Sequence, residues 1–268
     1  MYILTHRGLD PAKKPYFPES SREAFEDQLG RGFGLEFDLQ FTKDGQMIVS
    51  HDPVMDLSNS HLISLSDLLS LIMKSGAELS ALHLKHTWQK TEYLDKLLVE
   101  LQKVDTERFI IFDVKIETAK YLKERNPKLH LASSVSHQYD IERYNGVVGG
   151  TLITIEEAIK NKNLFDWVWL DEWDRSIPDG GDPSTRAKHG TGQSKTFYNK
   201  ENFDLLRKNG FKIALVTPEL HATSPGLLGG ESHQDAKDHQ TLVKRLHEII
   251  TLKPDAICTD WPDLVTSL

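Results

Sequence analysis

Eight short runs of β-forming residues, separated by stretches with apolar residues at three-to-four spacing, constrain this chain more than any other feature. The runs are YILTH at 2, GLEFDLQ at 34, ALHLK at 81, FIIFDV at 109, LHLAS at 129, DWVWLD at 166, FKIALVT at 211 and DAICTD at 255. Strands alternating with helices make parallel βα units, and eight such units predict a closed (β/α)8 TIM barrel. A doubly wound open sheet shares this local signature and is the alternative. A ninth run, MIVSH at 47, follows the turn residues Lys43, Asp44 and Gly45 and reads as a small hairpin after the second strand. The helix candidates are SREAFEDQLGRG, LSDLLSLIMKSG, TEYLDKLLVELQKV, IETAKYLKERN, TIEEAIKNK, KENFDLLRKNG and HQTLVKRLHEIITL. At the first of them, Ser20 and Glu23 stand at capping-box spacing.

The length suits one barrel, so a single domain over 1–268 is expected. With 38% hydrophobic and 27% charged residues the chain has material for a large core and no sign of disorder. One cysteine, Cys258, excludes an internal disulfide framework and a cysteine-rich metal site, and reads as a small core residue. No apolar run resembles a signal peptide or reaches the ~18 residues of a membrane span, which leaves the cytoplasm as the expected location. A formal charge of -8 argues against non-specific nucleic-acid binding, so an anionic substrate requires a local positive centre. Polar stretches at roughly 172–198 and 218–238 each follow a strand and are expected over the C-terminal face of the barrel. Oligomeric state is open.

The strands turn polar at their C-terminal ends, where barrel chemistry sits. Thr5-His6-Arg7, Glu36 and Asp38, His51-Asp52, His83 and Lys85, Asp113, Asp171, Glu219 with His221, and Asp260 all fall there. Each alone reads equally as a capping or ion-paired group. Glu36 and Asp38 stand two apart on one strand and so share a face, while Leu35, Phe37 and Leu39 take the other. Two neighbouring inward carboxylates suggest a hard divalent cation between them. His6 and His51 have the side chain that can activate an attacking oxygen or protonate a leaving one near neutral pH. Arg7 offers a fork that matches phosphate oxygens, or an ordinary ion pair.

Thr5-His6-Arg7-Gly8, PESSREAF, Gly34-Leu35-Glu36-Phe37-Asp38, Thr42-Lys43-Asp44-Gly45 and His51-Asp52, in that order, resemble the glycerophosphodiester phosphodiesterase signature. The closing Cys258-Thr259-Asp260-Trp261-Pro262-Asp263 also resembles that family's last strand. The resemblance implies a barrel enzyme that hydrolyses a small-molecule glycerophosphodiester to an alcohol and glycerol phosphate with a divalent cation, Mg2+, Mn2+ or Ca2+. It further implies His6 and His51 as the acid-base pair, Glu36 and Asp38 as metal ligands, and Arg7, with Lys85, as phosphate-binding groups.

Three departures qualify it. The family's E-x-K strand is here His83-Leu84-Lys85, which makes His83 a candidate third metal ligand and favours softer ions such as Mn2+. The segment between His51 and His83 is short for the family. The elements Trp169-Leu170-Asp171 and Pro218-Glu219-Leu220-His221 are similar to a divergent branch found among bacterial surface-polysaccharide genes. Asp171, Glu219 and His221 are therefore possible additional site residues, either replacing the lost carboxylate or binding another head group, with structural caps as the alternative. Trp169, Trp173 and Trp261 are candidates to stack on a sugar or polyol, or core residues. Two rival functions stay open: a phosphate-binding barrel with impaired turnover, and a metal-independent lyase-like enzyme forming a cyclic phosphate.

Overall fold

The computed structural model describes residues 1–54, 61–173, 175, 194–220 and 233–268. Its strands are β1 (Tyr2–His6), β2 (Gly34–Phe41), β3 (Met47–Val49), β4 (Ile63–Ser64), β5 (Ser80–His83), β6 (Phe109–Phe112), β7 (His130–Val135), β8 (Leu152–Ile153), β9 (Trp167–Leu170), β10 (Lys212–Val216) and β11 (Ala256–Thr259). Eight of these pair in parallel in the order β1, β2, β5, β6, β7, β9, β10, β11, and β11 returns to β1. That closure makes a barrel and excludes the open sheet. All eight barrel strands coincide with the runs read from sequence. Among the described residues, no helix is long and apolar enough to cross a membrane.

Around the barrel lie α1 (Arg22–Gly30), α2 (Leu65–Lys74), α3 (Thr91–Leu101), α4 (Ile116–Arg125), α5 (Gln138–Tyr144), α6 (Ile155–Lys160), α7 (Lys200–Lys208), α8 (His239–Thr251) and α9 (Pro262–Ser267). Seven were expected. The two not expected are the short helices α5 and α9. The first helix is capped one residue later than the capping-box spacing suggested: Ser21 Oγ accepts from Ala24 N at 3.2 Å and donates to Pro18 O at 2.7 Å. Ser20 instead takes a positive φ of 56°, and Glu23 Oε2 faces His61 Nδ1 at 3.3 Å.

Every residue of β2 is buried, because a barrel strand has two covered faces. Leu35, Phe37 and Leu39 pack outward in the shell shared with the helices. The inner wall is built from Leu4, Ala81, Ala132, Trp167, Ala214 and Ala256; the alanines leave room for the large indole of Trp167. At Gly34 a Cβ would lie 1.9 Å from Leu79 O, so only glycine admits the approach of β5. The expected hairpin forms: β3 runs antiparallel to β2, pairing Leu39 with Val49, across a turn at Gly45 with φ 81°. The two-residue strands β4 and β8 extend the sheet at β3 and β7.

Candidate active site

The C-terminal ends of the barrel strands surround a cavity of about 600 Å³. After His6 the chain turns through Arg7 and Gly8, both in the left-handed region at φ 55° and 72°. A Cβ at residue 8 would come within 3.0 Å of the Phe25 ring, so glycine lets the turn pack on α1. Arg7 has no such freedom. Its backbone is fixed by Arg7 N donating to Glu36 O at 3.0 Å and by Ser20 N donating to Arg7 O at 2.8 Å, the kind of over-determined strain found at functional sites.

His6, Arg7, Glu36, His51, His83 and Lys85 line one wall. Behind them Asp38 collects three cations: His83 Nδ1 at 2.7 Å, Arg7 Nε at 3.2 Å and Lys85 Nζ at 3.5 Å. Burial would raise its pKa, but the His83 hydrogen bond and these charges hold the carboxyl well below the usual range. Glu36 goes the other way, raised by burial and by the charge of Asp38. The Arg7 guanidinium also pairs with Glu19, Nη1 to Oε2 at 3.3 Å. His83 faces carboxylates with both nitrogens, Nδ1 toward Asp38 and Nε2 toward Asp113 Oδ2 at 3.1 Å. Burial opposes its charge, yet those two bonds push its pKa up to about 9.

The two histidines named as an acid-base pair differ. His6 Nδ1 lies 2.9 Å from Asp260 Oδ1, and Asp260 is fully buried. Burial alone would lower His6, but the charge and hydrogen bond of Asp260 outweigh it and its pKa is raised. Asp260 is itself seated: its N–H donates to Glu219 Oε1 at 3.2 Å, an oxygen that also accepts from the hydroxyls of Thr217 and Thr259, each at 2.5 Å. The His51 side chain, 38% exposed, has Nδ1 2.9 Å from Asp52 Oδ1, and Lys85 Nζ donates to its carbonyl. Its pKa is lowered, first by burial and then by the charge of Arg7.

Ligand atoms of Glu36, Asp38 and His83 lie within 4.8 Å of one another, and Glu36 Oε2 is buried with no hydrogen-bond partner. Two carboxylates and one imidazole, with an orphaned oxygen between them, fit a divalent cation. A second group, Glu172, His233 and Asp235, meets the same distance limit. There, however, Arg245 Nη2 and Arg175 Nη2 sit 2.5 Å from Glu172 and Asp235, so arginines already supply the positive charge.

The rest of the lining includes an apolar patch, with Phe112, Val216 and Leu220 beside Trp169. Phe112 and Trp169 stack at 3.8 Å and 9°. Trp169, Trp173 and Asp171 line the cavity, whereas Trp261 packs against the outer core. Glu219 does not line it, lying behind Asp260 instead. His221, and most of the two polar stretches, lie outside the described residues. The sequence placed Asp260 and Asp113 at strand ends but gave neither a role. Asp260 meets His6 only because β11 closes onto β1, and Asp113 meets His83 across the pairing of β5 with β6.

The Glycerophosphoryl diester phosphodiesterase family pattern matches residues 6–68. The resemblance read from the sequence holds. This stretch contains His6, Arg7, Glu36, Asp38 and His51, all on the polar wall or directly behind it. No curated protein matches the chain in sequence. Among solved structures, the chain is similar to one from Galdieria sulphuraria carrying the glycerophosphodiester phosphodiesterase name (TM-score 0.64, 17% identity, 99% of this chain and 96% of that one). It is also similar to the glycerophosphodiester phosphodiesterase of Thermotoga maritima (0.58, 16%, 100% and 97%). A third is an Oleispira antarctica phosphodiesterase in complex with the product sn-glycerol-3-phosphate (0.61, 13%, 100% and 96%). At these identities the likeness establishes the shared barrel.

Proposed function

We propose that this glycerophosphodiester phosphodiesterase-like barrel is a phosphoric diester hydrolase, with residues 1–268 as one working unit, that cleaves a glycerophosphodiester to an alcohol and glycerol phosphate. The observation that carries this reading is that His6 and His51 line one cavity with oppositely displaced proton affinities, beside the cations Arg7 and Lys85. Such a split is how paired groups divide acid and base roles. His51, held neutral, takes a proton from the attacking water as the water oxygen bonds to phosphorus. His6, held protonated by Asp260, gives its proton to the alcohol oxygen as the second P–O bond breaks. Arg7 and Lys85 hold the non-bridging oxygens, an arrangement worth most where charge develops in the transition state. Glu36, Asp38 and His83 would hold a divalent cation, Mg2+, Mn2+ or Ca2+, which would neutralise phosphate charge. The product bound in the Oleispira antarctica structure is the one this chain would form. A single buried thiol, Cys258, suits a cytoplasmic setting.

The test is turnover of glycerophosphodiesters, with EDTA and then add-back of each metal. The expected result is release of glycerol phosphate that chelation abolishes and one cation restores. Absence of turnover in the metal-loaded protein would overturn the hydrolase reading, and turnover indifferent to EDTA would overturn the metal.

A further inference from the structure

The strand that carries His83 offers no carboxylate of its own at its C-terminal end, and the next strand brings one in. Asp113 follows β6 directly. It is 8% exposed, lines the cavity, and points Oδ2 at His83 Nε2 across 3.1 Å. Its backbone stands at φ 64°, a conformation costly for any residue but glycine and least so for asparagine or aspartate. Gln89 fixes that conformation: its Nε2 donates to Asp113 O at 2.6 Å and Leu84 O at 2.8 Å, and its Oε1 accepts from Lys115 N at 2.9 Å. The Phe112 ring lies flat against the imidazole at 4.8 Å and 14°. His83 is therefore held on one face and at both ring nitrogens, with Nδ1 turned toward the Asp38 carboxylate.

A histidine that ligates a metal through one nitrogen usually donates its other N–H to a carboxylate, which fixes the tautomer and the ring plane. We propose that Asp113 is the positioning residue of the metal centre, accepting the His83 Nε2 proton so that Nδ1 completes the ligand set with Glu36 and Asp38. The inference rests on the metal-assisted reading above.

The test measures Mn2+ affinity of the full chain by the electron paramagnetic resonance signal of free Mn2+, together with thermal stability. Asp113→Asn keeps the size and tolerates φ 64°, but removes the charge; Asp113→Gly removes the carboxylate and also relieves the backbone. Both are expected to bind Mn2+ about 10- to 100-fold more weakly than wild type, while Asp113→Gly melts no lower than Asp113→Asn. In zinc- or Mg2+-loaded protein labelled with 15N-histidine, wild-type His83 is expected to carry its proton on Nε2. Wild-type affinity in Asp113→Asn would overturn this inference alone. No Mn2+ binding by wild type would overturn both it and the metal in the proposed function.

Discussion

His6 and His51 bring the same side chain to the same cavity and leave it with different proton affinities: against the effect of burial the carboxylate of Asp260 raises His6, while burial first and then the charge of Arg7 lower His51. His6→Ala and His51→Ala are each expected to lower kcat by about 10²–10⁴-fold, with circular dichroism unchanged. The pH profile follows from the directions of the shifts. In the proposed mechanism His51 acts neutral, so its lowered pKa should put the acid limb of kcat/KM below the ordinary imidazole value; His6 acts protonated, so its raised pKa should put the alkaline limb above it. Asp260→Asn removes the charge that raises His6. It should move the alkaline limb to lower pH and leave the acid limb in place; an unmoved alkaline limb would separate Asp260 from His6 function. Much of this was legible in the sequence, since His6, Arg7, Glu36, Asp38 and His51 fall in ordered motifs. Asp260 and Asp113 were not, because what they do depends on which strand ends up beside them.

At the scale of elements, legibility followed length. Strands of four or more residues with apolar material on both faces were readable; the two-residue strands β4 and β8 are too brief to show a period. Gly34 shows how a single position fits two elements together: Gly34→Ala places a methyl against a backbone carbonyl, and is expected to destabilise by about 1–3 kcal/mol, read from the urea midpoint. At the other end of the barrel, His130 at the start of β7 faces Glu107 Oε2 at 3.2 Å and Asp166 Oδ2 at 3.4 Å. The Asp166 hydrogen bond first, and then that of Glu107 against the opposing effect of burial, raise its pKa. A raised histidine stabilises the fold below its unfolded pKa, and loses that contribution as pH rises through the folded value. The side chain is 22% exposed, so the amount is at most about 1 kcal/mol. His130→Gln should flatten the stability profile over that interval, and a profile parallel to wild type would refute the linkage.

Across the whole molecule, buried charges tie the periphery to the barrel. Arg245, 4% exposed, bridges Glu172 and Glu248 from α8, and Lys195 pairs with Asp140 of α5 at 2.7 Å with both side chains buried. Removing one partner strands the other in a low-dielectric site. Arg245→Ala is therefore expected to cost about 3 kcal/mol in denaturant unfolding, far more than an exposed pair would. No sequence period announces such pairs, since their members lie up to 73 residues apart.

The contact between His6 and Asp260 spans 254 residues. On the ribosome, the imidazole is made first and waits about 10–50 s for its carboxylate at ordinary elongation rates. Until β11 docks against β1, the nascent protein holds the imidazole proposed as general acid without the charge that raises its proton affinity. In refolding, recovery of turnover should thus trail recovery of helical ellipticity, making catalysis itself a late-stage clock for ring closure.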